Sequence, residues 1–212
     1  MGYYQAAIEI GVDIEITGID IEPQPNYPFN FIQYDAVEYI KKYGKYYTHI
    51  HASPPCQKYS KSTSMFRKNG KEYTDILNEL RIEMLKQNKP GVIENVPEAP
   101  IRPDIVLYGY MFGLRLVRKR HFELINWFMM QHIPNEKIGS VKNGDLIQVV
   151  GKGQLKVSGG KRFKYAKQNV LETWKHEMKC GWMKTNNELS EAIPPAYTKY
   201  IGVNFLKLSS NL

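Results

Sequence analysis

Apolar and polar positions alternate between helical and strand-like periods through the first half of the chain. Tyr3 to Gly11 spaces its apolar residues as a short helix closed by Gly11. Asp13 to Asp20 (DIEITGID) is rich in β-branched residues and ends on an acid, after which Pro23, Pro25 and Pro28 break the chain. Phe29 to Tyr34 reads as a second short strand leading into Asp35. Ala36 to Tyr43 reads as a helix and Tyr47 to Ala52 as a third strand. A long polar loop is expected from Ser53 to Gly70. Tyr73 to Asn88 then carries Ile76, Leu77, Leu80 and Met84 at helical spacing, and Gly91 to Asn95 is the apolar run of a buried strand.

Short strands that alternate with helices predict an α/β fold built on a parallel sheet. In such sheets ligands gather at the carboxyl ends of the strands. Asp20, Asp35, Ser53–Gln57 and Glu94–Asn95 all follow expected strands directly, so the pattern predicts a site at that edge. The second half differs. Lys137 to Lys167 holds eight basic residues, one acid and six glycines, too many glycines for a helix, and is expected to be a small loop or β module. Ala196 to Leu208 reads as a final helix after Pro194–Pro195. No internal repeat is visible.

Composition narrows the class. With 212 residues, 42% hydrophobic and 24% charged, the chain has the make-up of one core-forming domain with at most a small appendage, which excludes disorder throughout. The net charge of +8 is uneven: residues 1–57 carry −4 and the remainder +12. That polarity points to an anionic partner bound by the later part, most simply nucleic acid. Two isolated cysteines, Cys56 and Cys180, make neither a disulfide framework nor a cysteine-rich zinc module. The five histidines are scattered, and His49 and His51 have no evident partner ligand, so no metal site is expected. No apolar run approaches the roughly 20 residues of a membrane span, and no basic, apolar leader opens the chain. A reducing, cytoplasmic setting is expected.

Two motifs carry chemistry. In Ser53-Pro54-Pro55-Cys56-Gln57 two prolines stiffen the approach to a lone cysteine in a polar loop, which suits a nucleophile held in place. In Ile93-Glu94-Asn95-Val96-Pro97 a glutamate ends the next strand. Partial burial there is expected to raise its pKa, so that it acts as an acid near neutral pH.

In this order the motifs resemble those of the DNA (cytosine-5)-methyltransferases, in the compact form found in phages and prophages. Pro54-Pro55-Cys56-Gln57, with Ser60, is similar to the family's catalytic loop. Glu94-Asn95-Val96 resembles its Glu-Asn-Val motif, and Arg118-Lys119-Arg120-His121-Phe122 its Arg-x-Arg motif on a later strand. Ala192-Ile193-Pro194-Pro195 resembles the tail of the last motif. The resemblance runs from about Met1 to about Gly202.

It implies a Rossmann-like class I methyltransferase sheet with a catalytic core over residues 1–125. A small basic target-recognition region at 126–170 and a C-terminal part at 171–212 returning to the core complete the expected layout. S-adenosylmethionine is the implied cofactor, held by Asp20 and Glu22 at the ribose, by Asp35–Ala36 at the adenine, and by Pro54. Cys56, Glu94, Arg120 and Arg118 are the implied catalytic residues. Pro55, Gln57, Ser60, Asn95, Lys161 and Arg162 are expected on the substrate side, with double-stranded DNA as partner. The implied chemistry is addition of a Cys56 thiolate to cytosine C6, which turns C5 into a nucleophile for the methyl group. A protonated Glu94 at N3 would neutralise the negative charge that builds up on the ring, and the base would be flipped out of the duplex. A free thiol of pKa about 8.5 is only a few per cent ionised at pH 7, so activation within the complex is also implied. The base that takes the C5 proton is left unassigned.

Three departures accompany the resemblance. Leu116 stands where the family has Gln, and Ser190-Glu191 stands where it has Gly-Asn. Met1-Gly2-Tyr3-Tyr4 matches the helix that follows the family's glycine-rich cofactor loop, so the first strand and that loop are expected to be missing. That strand belongs between the strand ending at Asp20 and the one ending at Ala52. An upstream segment or a second chain would have to fill the place, and the chain as given is expected to bind the cofactor weakly. Restoring roughly fifteen residues before the helix should rescue binding, since the loop of such folds cradles the ligand. The competing readings are an RNA cytosine-5 methyltransferase, a catalytically impaired methyltransferase-like DNA-binding protein, and an enzyme acting on a free pyrimidine nucleotide. The last would want a phosphate-binding arginine cluster without a basic recognition region.

Overall fold

The computed structural model describes residues 1–136, 139–150 and 170–210. They form two compact units. One, the sheet unit, spans Thr17–Val106 and Lys119–Gln131; the other, the helical unit, is drawn from Met1–Ile16, Leu107–Arg118 and the chain from His132 on.

The sheet unit holds six strands. β1 (Thr17–Asp20) pairs in parallel with β2 (Asn30–Gln33), and α2 (Ala36–Tyr43) follows at once. β3 (Ile50–Ala52), β4 (Gly91–Asn95), β5 (Ile105–Leu107) and β6 (Arg120–Ile125) form a second sheet in the order β3-β4-β6-β5. β3 and β4 are parallel, but β6 runs antiparallel to β4, so the sheet is mixed where the sequence pattern predicts parallel strands throughout. Among the described residues the two sheets are separate: β1 pairs only with β2, and β3 only with β4. The break falls where the resemblance places the family's first strand.

Packing explains the element positions. β4 is buried along its whole length, as its Val and Ile suggest for a central strand. α4 (Leu77–Lys86) sets Leu77, Leu80 and Met84 into a core with Val37, Ile40, Ile93 and Ile125. The expected loop from Ser53 to Gly70 is not wholly irregular. It contains a 3₁₀ turn at Lys61–Thr63 and a five-residue helix, α3 (Ser64–Lys68), which buries none of its residues. Deep in this unit Glu123 accepts from Arg81 Nε and Nη2 and from the Arg102 amide, which fixes β6 against α4.

The helical unit packs α1 (Gly2–Ile10) on α7 (Pro195–Ser210). A Cβ at Gly2 would lie 2.2 Å from the Pro195 carbonyl oxygen, so only glycine permits this approach. α1 ends as its sequence predicts, on Gly11 at φ 77°. α5 (Val170–Met178) and α6 (Asn186–Glu191) enclose Trp174, Met178, Cys180 and Leu189 with Leu114 and Leu116. Burial pushes the Cys180 thiol up to about 12. No helix among the described residues is long and apolar enough to cross a membrane.

Candidate active site

The site grows from the ends of β3, β4 and β6. Ala52 on β3 is in register with Ile93 on β4, so Ser53–Cys56 and Glu94–Asn95 leave neighbouring parallel strands at one edge. Pro54 is buried, and its carbonyl accepts from Asn95 Nδ2 at 3.1 Å. The Asn95 side-chain oxygen accepts the Val96 amide at 2.8 Å, which orients the carboxamide. The two motifs are therefore tied together by a buried hydrogen bond. Beyond Pro54 the chain exposes Pro55 and turns back at once: the Cys56 carbonyl accepts the amides of Tyr59 at 3.0 Å and Ser60 at 2.8 Å. Cys56 is half-buried and in no disulfide. The Gln57 carbonyl accepts from Thr63 Oγ1 and Arg67 Nη1, and Ser60 Oγ begins the 3₁₀ turn by accepting the Ser62 amide.

Glu94 is 6% exposed, so the expected burial is present, and it faces a cation. Arg120 Nε lies 2.8 Å from Glu94 Oε1. The contact is an ion pair and not an aligned hydrogen bond, because Oε1 has no partner of good geometry among the described residues. A buried carboxylate oxygen in that condition has unspent capacity to accept or, once protonated, to donate.

Arg118 behaves otherwise. Its guanidinium donates to the carbonyls of Val149 at 2.6 Å, Ser190 at 2.7 Å and Ala192, all within the helical unit, and Tyr197 donates to the Arg118 carbonyl at 2.8 Å. It is buried and holds φ at +32°, a strained value that these contacts maintain. Ser190 and Leu116, two of the departures from the family pattern, lie in the same unit: the first lends its carbonyl to Arg118, and the second is fully buried.

Asp20 and Asp35 end up on adjacent strand ends. The Tyr34 amide donates to the Asp20 carbonyl at 3.0 Å, which brings the end of β2 beside that of β1. Asp20 Oδ1 accepts the Glu22 amide and Oδ2 accepts Gln24 Nε2, while Glu22 itself is exposed. Asp35 caps α2 by accepting the Glu38 amide at 2.9 Å and is exposed, with Ala36 opening the helix. Lys161 and Arg162 lie outside the described residues.

The sequence pattern misses the side chains that hold the cysteine turn. Arg67 and Thr63, which bond the Gln57 and Ser60 carbonyls, match no motif. Two half-buried histidines, His51 on β3 and His49 just before it, belong to no ligand cluster among the described residues. Burial pushes His49 down to about 3 and His51 to about 4.

No family model and no curated protein matches this chain. Solved structures do. The Dnmt2 methyltransferase of S. pombe aligns with a TM-score of 0.59 at 12% identity, over 98% of this chain and 96% of that one. The Entamoeba histolytica methyltransferase EhMeth aligns with a TM-score of 0.55 at 12% identity, over 98% of this chain and 95% of that one. At such identity the likeness is one of fold, and it is to the α/β Rossmann-like fold of class I methyltransferases.

Proposed function

We propose that the chain is an S-adenosylmethionine-dependent methyltransferase that modifies C5 of cytosine in duplex DNA. The observation that carries this reading is buried Glu94, paired with Arg120 yet with an oxygen lacking an aligned partner, on the strand whose Asn95 holds the Cys56 turn. A thiol, a carboxyl group and a guanidinium at one sheet edge are the three groups that addition to a pyrimidine ring requires.

The described residues fit the adenosine half of the cofactor. Asp20, aided by Glu22, offers a carboxylate to the ribose hydroxyls, and exposed Asp35 with Ala36 offers an edge to the adenine. When bound, S-adenosylmethionine supplies an electrophilic methyl group. The chain's own residues do the rest. The Cys56 thiolate forms a bond to C6, and the electron pair of the C5–C6 double bond moves onto the ring. A protonated Glu94 donates to N3 and Arg120 to O2, so the added negative charge is met where it accumulates. Pro55, Gln57, Ser60 and Asn95 wall the base. With the methyl group on C5 and S-adenosylhomocysteine left behind, a base takes the C5 proton. That electron pair re-forms the C5–C6 double bond, the C6–S bond breaks to return the thiolate, and Glu94 takes back the N3 proton. Arg118 acts as a structural strut.

The choice of a polyanionic substrate rests on charge. Residues 58–71, directly after the cysteine, hold Lys58, Lys61, Arg67, Lys68 and Lys71 without an acid. The test is transfer of labelled methyl groups from the cofactor to a cytosine-containing duplex and to RNA of the same sequence. Label on DNA C5 supports the proposal. Label on RNA alone replaces DNA with RNA, and label on neither, with cofactor shown to bind, overturns it.

A further inference from the structure

The proposed nucleophile needs its turn held at both ends, and only one end is accounted for by the motifs. Asn95 fixes the Pro54 side. On the far side Tyr59 packs against the core formed by α2, α4 and β4, and its hydroxyl donates to Asp75 Oδ2 at 2.7 Å. Lys58 Nζ reaches the same oxygen, also at 2.7 Å. Asp75 Oδ1 in turn accepts the Leu77 amide, the first residue of α4, at 3.2 Å. Leu77, Leu80 and Met84 anchor that helix in the core. A continuous path thus runs from a rigid helix through one carboxylate to Tyr59, one of the two residues whose amides close the turn on the Cys56 carbonyl, and to its neighbour Lys58. Charge follows the same path: the Lys58 and Tyr59 contacts hold the Asp75 carboxyl below its ordinary range, and burial with the Asp75 contact pushes Tyr59 up to about 12.

We infer that Asp75 is a positioning residue for Cys56, acting through Tyr59 and, more weakly, through half-exposed Lys58. It touches neither base nor cofactor. Its effect is to restrict the turn to one placement, and small misplacements of a nucleophile have large kinetic cost. As a claim about how the thiol acts on a base, the inference rests on the proposed function; as a claim about the turn it can be read without it.

The experiment has two readouts on wild type, Asp75→Ala, Asp75→Asn, Tyr59→Phe and the Asp75→Ala/Tyr59→Phe pair. One is the rate of native alkylation of Cys56 by iodoacetamide, with Cys180 silent because it is fully buried. The other is the rate of covalent adduct formation on a 5-fluorocytosine duplex against duplex concentration. Asp75→Ala and Tyr59→Phe should each change the alkylation rate and slow the adduct by about tenfold, with the half-saturating duplex concentration unchanged. The pair should be no worse than either single change, because both cut one path. Asp75→Asn, which still accepts from the Tyr59 hydroxyl, should recover most of the rate. Additive effects in the pair, failure of Asn to restore, or unchanged rates in Asp75→Ala would overturn the inference. If wild type forms no adduct at all, the proposed function falls and the alkylation pattern still decides the clamp.

Discussion

Two arginines separated by one lysine meet opposite surroundings. Arg118 spends both terminal nitrogens of its guanidinium on three backbone carbonyls of the helical unit. Arg120, in the sheet unit, lies against a single buried carboxylate whose oxygen lacks an aligned donor. A residue type repeated in one motif can therefore be spent on backbone carbonyls at one position and face a buried carboxylate at the next. What separates them is how many of their partners are fixed backbone groups.

Changes at the two positions and around them should separate along that line. Cys56→Ser should abolish the covalent adduct outright while leaving the urea midpoint near wild type. Glu94→Gln should come next, lowering the rate of adduct formation by 10²–10⁴, the range typical of a lost proton donor. Its stability should change less than that of an Arg118 variant. Arg118→Ala leaves one buried and two part-buried carbonyls without this donor, so a loss of about 3 kcal/mol is expected in urea denaturation. Arg118→Lys should not restore it, for lack of the planar fork. Equal loss of stability at Arg118 and Arg120 would erase the contrast. Lys68→Ala or Lys71→Ala should leave the fold alone and reduce the salt-dependence slope of DNA binding by about 1 each.

Acid should also distinguish the two units. His49 is held neutral well below the ordinary histidine range, so the unfolded chain binds more protons than the folded one below about pH 6.5. Stability from this group is full above that pH and falls as the pH drops toward 3. Trp127 packs edge-on against His49 in the sheet unit, whereas Trp174 and Trp182 lie in the helical unit. Single-tryptophan variants followed by fluorescence should show the Trp127 transition moving to lower urea on acidification, with His49→Gln reducing the shift.

Periodicity alone places the polar clusters after Asp20, Ala52 and Glu94 at strand ends, because each follows an apolar run, whereas Arg120 enters only through the motif resemblance. Gly91–Asn95 and Ala36–Tyr43 match the expected boundaries, since a buried β-branched run and an Asp-capped amphipathic stretch are strong local signals. Strand direction is not legible: nothing local in Arg120–Ile125 says that it will lie beside β4 and antiparallel to it. α3 was missed because a five-residue helix without a buried face leaves no apolar period to read. The roles of Arg118 and Asp75 depend on partners remote in sequence, such as Ala192 and Tyr59.

Incubation with S-adenosylmethionine and a duplex carrying 5-fluorocytosine, read by mass spectrometry of the intact complex, tests the central claim most directly. A covalent protein–DNA species that forms with wild type and is absent with Cys56→Ser is the predicted result. A species that persists in Cys56→Ser, or DNA bound with no covalent species in wild type under saturating cofactor, would contradict it.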